Sequence, residues 1–202
     1  VRMIRRLLCA KTYKRLLNNT TPTIVKTEVA SGTIQWQADL ADVPLAMTLD
    51  AGSQNFKEVQ GQLAVALDNH NVTVMSLDDG SVLNTFASRY GKSTIRTSSI
   101  AFRDGGSLLW TVGTRYTGDA EHRTYISISA WDVARGQRIA TAEVPGQVMS
   151  TGWNPYGTQL ATVRYFNTVP SGQKHVPWAF HLWDVKIGRA ESTLVSSPPK
   201  TE

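Results

Sequence analysis

The chain repeats itself. The phrases TEVASG, MSLDDG, WDVARG and WDVKIG end at Gly32, Gly80, Gly136 and Gly188, so successive copies stand 48, 56 and 52 residues apart. Alternating or β-branched residues precede each copy, and a short apolar run follows it, the pattern of strands that bury one face or both. A period of this length marks a repeat architecture, in which one unit cannot bury its own hydrophobic face and stacked neighbours do so. A second phrase lies upstream of the last two copies, SSIAFRDGGSLLWTVG at 98–113 and STGWNPYGTQLATVRY at 150–165. Both read strand, turn, strand. Asp104, Gly105 and Gly106 in one, and Asn154, Pro155 and Gly157 in the other, supply the positive or fixed φ that tight antiparallel connections need.

This combination resembles the WD-repeat family of β-propellers, whose blades are four-stranded antiparallel sheets arranged around an axis. The resemblance covers about residues 22–196 and implies an all-β fold, a partial WD-like propeller of about three to four blades. It places a partial blade at about 22–40, fuller blades at 44–88, 93–145 and 146–196, and a flexible tail at 197–202. The third strand of each blade falls at 23–29, 71–77, 124–133 and 178–185. Trp131-Asp132 and Trp183-Asp184 match the family's eponymous dipeptide. By resemblance, the indole packs between neighbouring blades, and the glycine that follows, as at Gly80, Gly136 and Gly188, lets the chain turn into the outermost strand. The sequence departs from the family pattern in places. Met75 and Thr27 stand where tryptophan is expected, no Gly-His dipeptide opens a blade, and of the hydrogen-bonded tetrad only Asp68 has a counterpart.

Three to four blades are too few to close a ring comfortably, and an open arc exposes apolar faces and strand edges to water. Self-association, a partner that contributes blades, or a longer parent chain would cover them, and a start at Val1 fits truncation or processing.

Charge is distributed unevenly. The chain carries 21 Lys and Arg against 16 Asp and Glu, a formal +5. Arg2, Arg5, Arg6, Lys11, Lys14 and Arg15 lie within the first 18 residues without an acid among them, which leaves 15 cations against 16 acids in the body, a net −1. Residues 1–18 hold good helix formers with no Gly or Pro and predict a short basic helix within an N-terminal arm at 1–21. Any nucleic-acid contact would fall to those six cations. Arg-rich, acid-free openings also resemble organelle import segments, so the sequence points to a cytoplasmic protein or an imported one. No run of eighteen apolar residues predicts a transmembrane segment. Hydrophobic residues at 41% and charged residues at 18% exclude wholesale disorder. Cys9 is the one cysteine and cannot form an internal disulfide.

In propellers of this type the loops from the second to the third strand, and from each blade to the next, emerge on one face. Here those loops would present Arg89, Tyr90, Lys92, Arg115, Tyr116, Arg123, Tyr165, Phe166, Lys174 and His175. Aromatic and arginine side chains bury area while keeping a polar handle, which suits them to binding a protein or an acidic ligand. The competing reading is that long surface loops tolerate such residues, with Tyr165 and Phe166 folded back onto the blade. Basic groups interleaved with aromatics also serve RNA stacking, but the body's net charge argues against it.

Catalytic constellations are absent from the sequence. There is no GxSxG elbow, HExxH pair or GxGxxG loop, and Gly91-Lys92-Ser93 lacks the leading glycine and the following helix of a phosphate-binding loop. His70, His122, His175 and His181 show no ligand spacing, so neither a metal nor a cofactor is expected. The acids sit mainly in turns, at Asp68, Asp78, Asp79, Asp104, Asp119 and Asp132, and Asp132 and Asp184 belong to the repeat signature. The expectation is a non-catalytic WD-repeat scaffold for protein–protein interaction. A ribonucleoprotein or organellar subunit anchored by the basic arm, and a propeller-type hydrolase, are the alternatives. Sequons at Asn18, Asn19 and Asn71 imply no glycan without an export signal.

Overall fold

A computed structural model describes residues 6–11, 21–28, 30–50, 61–117, 124–154, 158–165, 178–185 and 194–197. These form four antiparallel sheets in chain order. Sheet I contains β1 (Arg6–Lys11), β2 (Thr23–Glu28) and β3 (Ile34–Asp39). Sheet II contains β4 (Pro44–Asp50), β5 (Gln62–Leu67), β6 (Asn71–Ser76) and β7 (Val82–Ala87). A two-residue strand, β8 (Arg89–Tyr90), precedes β9 (Ser93–Arg103), β10 (Leu108–Tyr116), β11 (Thr124–Asp132) and β12 (Gln137–Pro145), which complete sheet III. Sheet IV contains β13 (Gln147–Trp153), β14 (Gln159–Tyr165), β15 (Trp178–Val185) and β16 (Leu194–Ser197). No helix among the described residues is long and apolar enough to cross a membrane.

The sheets stack like spokes. The first strand β9 packs beside both β4 and β13 at the hub, and sheets II, III and IV run outward from there. Alternation along a strand sends successive side chains to opposite faces, so a central strand serves two neighbours. In β5, Leu63, Val65 and Leu67 join Ile24, Trp36, Leu40 and Met75 between sheets I and II. Ala64 and Ala66 join Val72, Val74 and Phe86 against Ile100, Leu109, Trp131 and Val133 of sheet III. A third cluster sets Trp110, Val112, Ile126 and Ile128 against Leu160, Trp183 and Val185 of sheet IV. Each fully buried aliphatic side chain contributes about 1.5–3 kcal/mol, so these three clusters hold the arc together.

The register repeats with the fold. The residue at the tryptophan place lies opposite a leucine on the preceding strand in every sheet: Thr27 opposite Leu7, Met75 opposite Leu63, Trp131 opposite Leu109 and Trp183 opposite Leu160. At the end of the third strand or one residue beyond it, the amides of Leu77, Val133 and Val185 donate to the carbonyls of Gly61, Ser107 and Thr158 at 2.8, 3.0 and 2.9 Å. The carbonyls of the same three residues accept from the preceding sheet. Leu77 accepts from Trp36 Nε1 at 2.9 Å and from Lys26 Nζ. Val133 accepts from Asn84 Nδ2 at 2.8 Å, and Val185 from Arg103 Nη1 at 2.9 Å. Buried carbonyls must be paired, and these pairs run between sheets. The turn into the fourth strand needs a left-handed residue, supplied by Gly80 (φ 76°) and Gly136 (φ 63°).

The helix expected over residues 1–18 is corrected where that segment is described. Arg6–Lys11 is a strand, paired antiparallel with Thr23–Glu28 from Arg6 opposite Glu28 to Lys11 opposite Thr23. Intrinsic helix preference is a fraction of a kcal/mol per residue, and the inner edge of β2 offers a row of backbone donors and acceptors that outweighs it. Residues 1–5, 12–20 and 198–202 lie outside the described residues. At the other end of the arc the outward face of sheet IV carries Phe180 (75% exposed) and Leu182 (54%) on β15. Their partners across β14 are Val163 and Ala161.

Candidate partner-binding rim

The hairpin at Arg89–Lys92 links sheets II and III. Arg89 pairs with Thr94 and Tyr90 with Ser93, around Gly91 at φ 58°. Its root is fixed by Ser88, which is buried. The Ser88 amide donates to the His70 carbonyl at 2.7 Å, its carbonyl accepts the Ile95 amide at 2.9 Å, and its hydroxyl accepts from Thr97 Oγ1 at 3.1 Å. Above this root Tyr90 is 45% exposed, and Arg89 and Lys92 are exposed beside it.

Two arginines grip Tyr90. Arg115 Cζ lies 5.3 Å from its ring centroid and Arg138 Cζ 5.2 Å, within the range where a guanidinium is drawn to an aromatic face. Arg115 also sits 4.6 Å from the Tyr125 centroid. Its Nε and Nη2 donate to Glu143 Oε1 and Oε2 at 2.7 and 2.9 Å. That bidentate pair is largely buried, with 12% and 18% of the two side chains exposed, so it orients Arg115 firmly.

Of the residues expected on one loop face, the structure therefore groups Arg89, Tyr90 and Lys92 as a projecting hairpin. Arg115 joins them from below and does not project. Tyr116, 42% exposed, follows it at the end of β10. Tyr165, half-buried, ends β14 on the neighbouring sheet. Arg123, Phe166, Lys174 and His175 lie outside the described residues.

The repeat-signature residues have structural partners. Trp131 Nε1 donates to Thr111 Oγ1 at 3.0 Å, and Trp183 Nε1 to Thr162 Oγ1 at 2.9 Å, all four residues being buried. Trp131 also stacks on Phe86 of sheet II, centroids 4.7 Å apart. Asp132 accepts the Arg135 amide at 2.9 Å and so shapes the turn into β12. Asp184 accepts from Gln159 Nε2 at 3.1 Å. Asp68 pairs with Arg96 of sheet III at 3.4 Å, both side chains about half exposed. Gly188 lies outside the described residues.

Sequence reasoning missed Arg138 and Glu143. Glu143 had a signal, an isolated acid in the apolar strand IATAEVP, while Arg138 looked like one of many surface cations.

No group of three or more His, Cys, Asp or Glu side chains among the described residues is placed to hold a metal ion. Near the hub a cavity of about 320 Å³ is lined by Leu49, Asp50, Phe102 and Arg103 with the turn at Asp104, Gly105 and Gly106. That lining brings two carboxylates and an arginine together, and Arg103 is already bound to the Val185 carbonyl. Burial, with the nearby Arg164 guanidinium, holds His181 below the usual histidine value. His181 stacks on Trp183 at 5.7 Å.

No protein-family model matches the chain, and no curated protein matches it in sequence. Solved structures do match it in shape. The WD40 domain of Toxoplasma gondii coronin superposes with a TM-score of 0.55 at 12% identity over 86% of this chain and 39% of that one. The C-terminal WD40 domain of Sif2 gives 0.51 at 14% identity, over 84% and 39%. The β-propeller domain of Cps50 (Swd1) from Myceliophteria thermophila gives 0.50 at 12% identity, over 80% and 53%. The chain thus spans about two-fifths to half of the length of these structures. At such identities the likeness is one of fold: an all-β partial propeller of the WD40 type.

Proposed function

We propose that this partial WD40-type propeller is a non-catalytic platform for protein partners, and that partners engage the rim around Tyr90 and Tyr116. One observation carries the reading. Tyr90 stands exposed on a root locked by buried backbone and side-chain hydrogen bonds of Ser88, and Tyr116 stands exposed at the end of β10, paired with Thr124 of β11, so binding through them costs little ordering entropy. WD40 folds are in general protein-interaction scaffolds, which supports the same reading. The outward face of sheet IV, with Phe180 and Leu182, has the strand positions that sheets II and III use to meet a following sheet. Further sheets, from a longer chain or from another molecule, would complete the ring there. The ribonucleoprotein alternative loses its anchor in part, because Arg6–Lys11 is built into sheet I instead of forming a free basic arm.

The test is affinity purification of the chain from native extract, with and without the paired changes Tyr90→Ser and Tyr116→Ser. The expected result is loss of a discrete set of co-purifying proteins at unchanged thermal stability. An unchanged set of proteins would overturn the reading.

A further inference from the structure

The two arginines at Tyr90 differ in what neutralises them. Arg115 is closed onto Glu143 by two short hydrogen bonds. Arg138 has no carboxylate partner among the described residues: its Nη1 donates to the Arg89 carbonyl at 2.6 Å, and its Cζ lies 5.7 Å from the Trp131 ring centroid. A guanidinium carries five N–H donors in one rigid plane. Two aromatic rings and one carbonyl set that plane here, so the donors left over are oriented before any ligand arrives.

The surroundings add charge of the same sign. Arg89 and Lys92 are exposed on either side of Tyr90, and neither is paired with a carboxylate among the described residues. Three uncompensated cations around one half-exposed phenol sit on a body whose net charge beyond residue 18 is −1. Local excess on a near-neutral body suits a short anionic segment. It suits a phosphate polymer less, because such binding grows with the number of phosphates neutralised and with successive stacking rings, and among the described residues these three cations gather around a single ring, Tyr90.

We propose that Arg138, with Arg89 and Lys92, forms a receptor for the carboxylates of an acidic peptide segment in a protein partner, the segment crossing the hairpin over Tyr90. The proposal rests on the platform reading and names the class of its partner. Arg138 supplies the fixed fork for one carboxylate, which an arginine can bind through two parallel hydrogen bonds. Arg89 and Lys92 supply mobile charges for its neighbours along the segment.

The test is fluorescence anisotropy of the full chain with a fluorescein-labelled glutamate dodecamer, beside a labelled uridylate dodecamer, at low ionic strength. The expected result is saturable binding of the glutamate peptide, weaker binding of the oligonucleotide, and about tenfold or greater loss of glutamate affinity on Arg138→Gln. Arg138 also braces the hairpin, so a second variant, Lys92→Glu, changes an exposed side chain only and is expected to weaken the peptide as well. Absence of saturable peptide binding, affinity unchanged in both variants, or tighter binding of the uridylate each overturns the proposal. If the peptide fails while co-purification still depends on Tyr90 and Tyr116, the acidic segment is wrong and the platform stands. If both fail, both readings go.

Discussion

The junction between sheets I and II and the junction between sheets II and III are each closed by a buried apolar cluster, built from different parts. Between II and III the indole comes from the third strand of the following sheet, where Trp131 stacks on Phe86 and donates to Thr111. Sheets III and IV repeat the donation with Trp183 and Thr162. Between I and II the third strand carries Met75, and Val65 stands at the position of Thr111 and Thr162. The indole arrives there from the other side, as Trp36 on the last strand of sheet I, with its N–H on the Leu77 carbonyl. A junction of this fold thus has an indole and an acceptor for it, and the strand that supplies them can change. Where the indole leaves the third strand, the threonine leaves with it, because a buried hydroxyl without its donor is a liability.

The largest break in this comparison is expected at Gly80. A Cβ there would approach the Trp36 ring to 2.7 Å, on a backbone at φ 76°. Gly80→Ala therefore combines left-handed strain with overpacking and should destabilise by about 2–4 kcal/mol. Gly136→Ala meets the Asn84 side chain at 3.1 Å with φ 63°, and should show the strain alone, about 1–2 kcal/mol. Urea unfolding of the two variants measures the difference, and equal losses would remove Trp36 from its role.

A smaller effect separates the acceptors. Thr111→Val keeps shape but strands the Trp131 N–H, for an expected loss of about 1–3 kcal/mol. Val65→Thr at the other junction buries a hydroxyl that no indole meets, and should also destabilise. The double change Met75→Trp with Val65→Thr asks whether the pair moves as a unit, with stability above the sum of the single variants as the supporting outcome.

The smallest effect distinguishes the junction of sheets III and IV by pH. His181 is held below its ordinary value by burial and by Arg164. The unfolded chain then binds the proton more readily, so this contribution is present above about pH 6.5 and is lost as pH falls through the lower folded value. Thermal unfolding of His181→Gln should show a shallower decline below pH 6.5 than the unaltered chain, and identical slopes would discount the residue.

Much of this architecture could be read from the chain because it is written several times. Gly80, Gly136, Trp131 and Trp183 recur at intervals that only a repeat explains, and the turn phrases between them fix strand direction. The strand at Arg6–Lys11 could not be read that way. Its residues favour a helix locally, and what decides against it is an unpaired edge some twenty residues away. The rim was legible at Tyr90 and opaque at Arg115, whose exposure depends on Glu143 two strands further on. Arg138 was invisible for the same reason, since its significance lies in the lack, among the described residues, of the carboxylate partner that its twin possesses.

Leu63 to Leu67 address two different neighbours in alternate letters, the leucines and valine toward Trp36, the two alanines toward Trp131. Losing or gaining one residue in that stretch would exchange the bulky and the small sets, jamming one seam and hollowing the other in a single step. Such a strand tolerates a substitution more readily than a change of length, whereas the loops that bear the rim can lengthen without moving either seam.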